Sequence, residues 1–275
     1  MIKQKYQPPS LENNTLDKLS RKLIDVTNQL NEANKYLLRA EQERSQMLAN
    51  ISHDLRAPIT AIRSAIDLAN SNDALPLEDI RMLIRLIDRR TAALENLIQD
   101  MYFLFSIEDR SIPLHLEKVS AMPFFEEYFY STIQNRLYNS RKMELDIPAD
   151  LSIEIEIDIQ KVIRALDNLF LNAVKYSEDS DRITLSLQHD KSGRNLIILV
   201  SDTGIGIPAE HLPYIFDRTY TVSVSRTPDT STGSGLGLSI VRIIVELHKG
   251  AVTCTSKEGN GSTFIITLPE ATSEI

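Results

Sequence analysis

Glycine is missing from the first two thirds of this chain: of 275 residues nine are glycine, and all nine fall at or after Gly193. Close backbone approach through glycine is therefore confined to the last third. Cysteine is almost absent. The single Cys254 excludes an intrachain disulfide and any cysteine-based metal cluster, and between Thr253 and Thr255 it reads as a small strand residue. No apolar run approaches the roughly 18 residues that span a bilayer, and no signal-peptide pattern opens the chain, so a soluble protein is expected. Positive charge is in deficit. A net charge of -8 and a pI near 5.2 argue against nucleic acid or an anionic membrane as the main partner.

What is present begins with a heptad repeat. Leu16, Leu23, Leu30 and Leu37 occupy one seam position and Leu19, Val26, Ala33 and Ala40 the other, which favours a parallel dimeric coiled coil over a long packed helix of a monomer. Arg44, Met47 and Ile51 continue the seam, but the next step, to Leu55, is four where the heptad wants three. This stutter unwinds the supercoil locally. Beside it the stripe Met47, Ile51, Leu55, Ile59, Ile62 and Ile66 marks a buried helix face. His53 lies about 200° around the helix from its neighbours Ile51 and Leu55 and so faces outward, with Arg56, Ala57 and Thr60 on its own side. Pro58 is expected to kink or loosen the helix one turn later.

The polar stretch Asn70 to Pro76 ends this helix. A second follows with Ile80, Ile84, Ile87, Thr91, Leu94, Ile98, Met101 and Phe105 at alternating steps of four and three. Two antiparallel helices bury too little alone, so the seams imply a dimeric four-helix bundle with His53 outside. Beyond about Ser111 the pattern turns mixed. Strands are expected at Leu114 to Val119, Met143 to Ile147, Ile153 to Ile157, Ile183 to Leu187, Leu196 to Ser201, Ala251 to Ser256 and Thr263 to Leu268. Helices are expected over Met122 to Tyr138, 159 to 176 and 236 to 248. The order suggests an α+β sandwich, a sheet with helices on one face.

Three segments are candidates for nucleotide chemistry, the first competing with a solvated polar face and the second with a plain tight turn. On the 159 to 176 helix, Asn168, Asn172 and Lys175 share a side adjoining the buried one, offering amide oxygens to a hard cation and a compact positive charge to phosphate. Asp202-Thr203-Gly204-Ile205-Gly206 follows an apolar strand, where a carboxylate can accept from an exocyclic amine and glycines admit close approach. Gly233-Ser234-Gly235-Leu236-Gly237-Leu238 opens a helix whose N–H groups and dipole suit phosphate. The spacing matches neither the dinucleotide fingerprint nor the P-loop.

Taken together and in order, these segments resemble a known family. His53-Asp54-Leu55-Arg56-Ala57-Pro58-Ile59-Thr60 is similar to the H box of the sensor histidine protein kinases of two-component systems. Asn168 to Ser177 resembles their N box, Asp202 to Gly206 and Gly233 to Leu238 their two glycine boxes, and Phe216-Asp217-Arg218-Thr219-Tyr220 their F box. The resemblance implies a tail and coiled-coil signalling helix over 1–44, a dimerisation and histidine phosphotransfer domain over 45–110, and a Bergerat-type ATP-binding catalytic domain over 111–275. It also implies a hinge near Ser111 to Pro113 and a mobile lid at roughly 207 to 235. Other ATPases of this nucleotide fold, such as the gyrase and mismatch-repair relatives, are not expected to carry an H box on a preceding hairpin.

By that resemblance ATP and Mg²⁺ are used. His53 attacks the γ-phosphate and becomes phosphorylated, with Asp54 accepting from its other ring nitrogen. Asp202 reads adenine and Tyr176 packs near the base; Asn172, helped by Asn168, holds Mg²⁺, and Lys175 meets phosphate oxygens. Gly204 and Gly206 bring backbone close, Gly233, Ser234, Gly235 and Gly237 cradle the phosphates with Leu236 and Leu238 also in the ATP-binding set, and Phe216 and Arg218 anchor the closed lid. The implied partners are a second copy of the chain and a response-regulator receiver domain, in the cytoplasm, with a membrane reached only through a sensor segment not present in this chain. Two positions depart from the family pattern. Ala57 stands where many relatives carry threonine or asparagine to position water for regulator dephosphorylation, so poor phosphatase activity is expected. Thr219 replaces a common aromatic, so weaker lid contacts are expected. His115, His189, His211 and His248 share no ligand spacing and read as structural or surface residues. Two other functions compete with the kinase: a non-catalytic ATP-binding scaffold, and an ATPase that transfers phosphate to water.

Overall fold

The computed structural model describes residues 10–71, 75–108, 113–191, 193–218, 220–222 and 235–271, and the chain divides into two units, residues 1–52 and 53–275. Helix α1, Ser10–Asn70, carries both the heptads and the histidine turn. It runs through Pro58 without a break. A proline removes one backbone bond, and the flanking turns carry the helix on.

In the first unit Leu19, Leu23, Val26, Leu30 and Leu37 stand between 59% and 70% exposed, an apolar stripe left open in the single chain. In the second unit α2, Leu77–Glu108, returns after the polar break, with Glu78 and Asp79 at the positive end of its dipole. Its seam is only partly covered: Ile80, Ile84 and Ile98 are exposed, as are Ile59 and Ile66 of α1.

The α/β part follows as β1 Glu117–Ser120, α3 Ala121–Thr132, β2 Lys142–Asp146, β3 Glu154–Ile157, α4 Ile159–Lys175, β4 Arg182–His189, β5 Asn195–Asp202, α5 Gly237–Leu247, β6 Ala251–Ser256 and β7 Ser262–Pro269. The sequence placed these within a few residues, with one correction. The aromatic helix expected to reach Tyr138 stops at Thr132, and Arg136–Tyr138 forms a separate 3₁₀ turn because the Asn135 side chain accepts from the Leu137 N–H.

A five-stranded sheet runs β2-β4-β5-β7-β6, antiparallel except for the β2–β4 pair. β1 and β3 form a separate two-stranded antiparallel pair. Alternate residues of the central strands, Ile183, Leu185 and Leu187, then Leu196, Ile198 and Val200, then Phe264, Ile266 and Leu268, are buried. That period of two gives the sheet one covered face. α4 and α5 pack on each other and on its strands. α4 buries Val162, Leu166, Leu169 and Ala173, as the helical period requires.

The start of α4 is fixed by polar bonds. The Asp158 side chain accepts from the Lys161 N–H and pairs with the Lys161 ammonium. His248, at the end of α5, accepts from the Asp158 N–H at Nε2 (2.9 Å) and donates from Nδ1 to the Ile244 carbonyl (2.7 Å). This histidine is structural, as expected.

Candidate active site

The end of α4 is held from outside. Arg141 donates from Nη2 to the carbonyls of Val174 (3.1 Å) and Ser177 (2.8 Å), satisfying groups that a helix C-terminus leaves open. Just inside this cap, Lys175 Nζ stands 5.0 Å above the Tyr176 ring, a cation–π arrangement. The Tyr176 carbonyl accepts from the Ile205 N–H at 3.0 Å. Gly204 lies against the same carbonyl: a Cβ there would sit 2.1 Å from the oxygen. The sequence expected this glycine to admit a ligand. It admits the chain's own backbone instead.

Asp202 ends β5 and is 9% exposed. Its Oδ1 accepts from the Gly204 N–H at 2.9 Å. Burial pushes this carboxyl above its ordinary range, opposed by the N–H groups of Gly204 and Ser262 and assisted by the charge of Asp181. Gly261, one residue before β7, comes up against the backbone of Asp202. It has φ +85°, and a Cβ would fall 1.9 Å from the Asp202 carbonyl oxygen. β6, on the far side of β7 from β5, carries Cys254, whose thiol is pushed up to about 12 by burial and by the charge of Asp202.

These residues surround a cavity of about 580 Å³. Asn168, Asn172, Lys175 and Tyr176 line it from α4, Asp202 from β5, and Gly206, Gly235, Gly237 and Leu238 from the two glycine segments. Asp54, Ala57 and Pro58 line it too, with Arg90 and Asn96 of α2. The hairpin lies against α4 through Arg164, which bonds Asp100 at 2.7 Å and stacks 4.6 Å over the Phe103 ring.

His53 lies off the cavity wall. Its side chain is 77% exposed and Nδ1 is 3.4 Å from Asp54 Oδ1. Gly204, Phe216, Arg218 and Leu236 are also off the wall: Phe216 packs edge-on against Phe264, and Leu236 is fully buried. Gly233, Ser234 and Thr219 lie outside the described residues, as does the 223–234 part of the expected lid. Ser262, Phe264, Ile215 and Tyr220 line the cavity without having been singled out as site residues in the sequence. The alternation of β7 could have found the first two, since Ser262 pairs with Asp202.

The donor set suits a phosphate-borne hard cation better than an all-protein cage. Among the described residues no group of three His, Cys, Asp or Glu could hold a metal ion. Asn168 and Asn172 offer amide oxygens on the cavity wall, and the Asn168 Oδ1 lies where a Cβ on Gly237 would come within 2.9 Å.

A helical hairpin bearing an exposed histidine is joined to a helix-covered mixed sheet whose cavity is lined by amides, a lysine and a buried carboxylate. Residues 157–272 match the family of histidine kinase-, DNA gyrase B- and HSP90-like ATPases, and residues 43–110 match the His Kinase A phospho-acceptor domain. The chain belongs to the sensor histidine kinases of two-component systems. It is 31% identical over 262 residues to the sensor histidine kinase WalK of Bacillus subtilis (strain 168), spanning 94% of this chain and 40% of that relative. In structure it resembles the Acinetobacter baumannii histidine kinase AdeS, with TM-score 0.61 and 23% identity over 80% of this chain and 98% of that one. The histidine kinase ThkA, solved in complex with the response regulator protein TrrA, has TM-score 0.61 and 22% identity over 82% of this chain and 61% of that chain. The last two bear on the fold.

Proposed function

We propose that this chain transfers the γ-phosphoryl group of ATP to His53 and then to an aspartate on a response-regulator receiver domain. One observation carries the reading: the turn after His53, through Asp54, Ala57 and Pro58, lines the same cavity as Asn172, Lys175 and Asp202. Asp54 near Nδ1 favours a proton on that nitrogen and leaves the Nε2 lone pair for attack. The N–P bond forms as the bond to the bridging oxygen of ADP breaks, and the Nδ1 proton stays shared with Asp54. Transfer requires His53 to approach the cavity, either by movement of its own hairpin or from a second copy.

In this reading Asp202 accepts from the adenine amine, Tyr176 lies by the base, and Lys175 meets phosphate oxygens. Asn172 and Asn168 would hold Mg²⁺, which neutralises charge on the β- and γ-oxygens when bound. Gly206 and the segment Gly233, Ser234, Gly235, Gly237 and Leu238 complete the nucleotide contacts. Gly204 and Leu236 support them from behind, and Phe216 and Arg218 sit at the base of the lid segment. The three regions 1–44, 45–110 and 111–275 act as signalling helix, phosphoacceptor and catalytic domain. The uncovered seams of α1 and α2 are the surface for a second copy, making a homodimer. Among the described residues no helix is long and apolar enough to cross a membrane.

The test is incubation with Mg²⁺ and γ-labelled ATP. Acid-labile, base-stable label that disappears in His53→Ala is expected; label that survives the substitution refutes the assignment. With Ala57 on the cavity wall in place of a polar residue, loss of regulator phosphate on adding the protein with ADP is expected to be slow.

A further inference from the structure

Tyr220 and His211 form a pair that the reaction above does not use. His211 stands just before the 3₁₀ turn Leu212–Tyr214, and its Nδ1 lies 2.7 Å from the Tyr220 hydroxyl, nine residues on. The Tyr214 ring leans on Tyr220 with centroids 5.7 Å apart and planes at 37°, and the His211 ring is 6.1 Å away. His211 Nε2 faces Glu210 at 3.7 Å. Tyr220 is half-buried and lines the cavity that also holds Asp202 and Lys175.

The pair has a physical consequence. A tyrosine whose hydroxyl is tied to a histidine and whose ring rests on another ring has little rotamer freedom left to lose. A ligand that touches it does not have to immobilise it, which improves affinity without any new contact. Flat aromatic walls suit the base and sugar of a nucleotide. We infer that Tyr220 contacts the bound nucleotide and that His211 is the positioning residue that sets its ring. This rests on the reading of the cavity as the ATP site.

The experiment is titration calorimetry of Mg²⁺–ATP into the full chain for wild type, His211→Ala, His211→Gln, Tyr220→Phe, Tyr220→Ala and the double variant His211→Ala/Tyr220→Phe. Nucleotide-free thermal melts and the KM and kcat of autophosphorylation accompany it. His211→Ala and Tyr220→Phe should each weaken ATP roughly three- to tenfold, the size of one neutral hydrogen bond. The double variant should be no weaker than either single one, because both remove the same bond. His211→Gln, which keeps a donor and an acceptor, should stay near wild type, and Tyr220→Ala should lose most. The change should appear in KM rather than kcat, with melts unmoved. Unchanged affinity in His211→Ala and Tyr220→Ala, or additive losses that track the melts, overturns the inference while leaving the ATP site intact. No ATP binding by wild type overturns the ATP reading itself.

Discussion

The hairpin and the α/β part of the second unit bury their apolar residues to very different degrees. In the sheet Ile183, Leu185 and Leu196 are fully covered by the chain's own helices, whereas Ile59, Ile84 and Ile98 of the hairpin are 53%, 59% and 53% exposed. The sheet is covered within one copy; the hairpin leaves an apolar face open. The difference assigns separate jobs. A closed sheet can hold a buried carboxylate in place, and an open hairpin can be completed, and so controlled, by a partner.

The sharpest way to separate the two regions is His53→Gln. Acid-labile phosphate should vanish entirely while ATP affinity stays at the wild-type value, since His53 lies off the cavity wall; loss of both would mean that His53 itself helps to build the nucleotide site.

Asp202→Asn should act in the opposite sense, leaving the histidine intact and weakening ATP by roughly 100-fold or more, as sites built on a buried polar contact do when it is lost. Its effect on stability carries a sign. Because burial raises the Asp202 carboxyl above its ordinary 3.8, the folded state takes up the proton more readily than the unfolded one. That contribution is fully present below 3.8 and is lost as pH rises through the raised value. Asparagine does not titrate, so the variant should match wild type below that window, gain on it as pH rises through the window, and keep a constant gain above it. Chemical denaturation at several pH values reads the difference, and a gap that widens toward acid would contradict the burial account.

Next in size is Gly261→Ala, which places a Cβ 1.9 Å from the Asp202 carbonyl at φ +85°. A loss of about 2–4 kcal/mol of folding stability is expected, combining left-handed strain with a clash against backbone that cannot move. Denaturant unfolding checks it, and a neutral result would show that the β5–β7 end can shift.

Ile84→Glu should convert a dimer to a monomer in light scattering and leave ATP binding unchanged, since the seam and the cavity belong to different surfaces. Smallest of all, Asp100→Asn removes a partly exposed ion pair with Arg164 and should cost under about 1 kcal/mol.

What could be read from the sequence followed the same division. Heptads, the period-two strands and the α4 stripe are local patterns, and each fell where its periodicity put it. The cavity residues on those elements, Asn168, Asn172, Lys175 and Asp202, were legible for that reason. Other features depend on contacts distant in the chain. Gly204 looked like a ligand-facing glycine, but its neighbour is the Tyr176 carbonyl. Gly261 matters because β7 brings it under Asp202, and Tyr220 because a nine-residue turn returns it to His211. No spacing rule contains those closures. Asn135, which stops α3 early, is a side-chain competitor for backbone bonds that periodicity overlooks.

The thiol of Cys254, pushed up to about 12, has a practical consequence for following this protein in motion. At neutral pH it holds almost no thiolate, the form that reacts with alkylating reagents. A cysteine introduced on an exposed turn would therefore react far faster than the native one. Fluorescent or spin labels can be placed one on the hairpin and one on the α/β part, and the distance between them followed as nucleotide is added, with the native residue left in place.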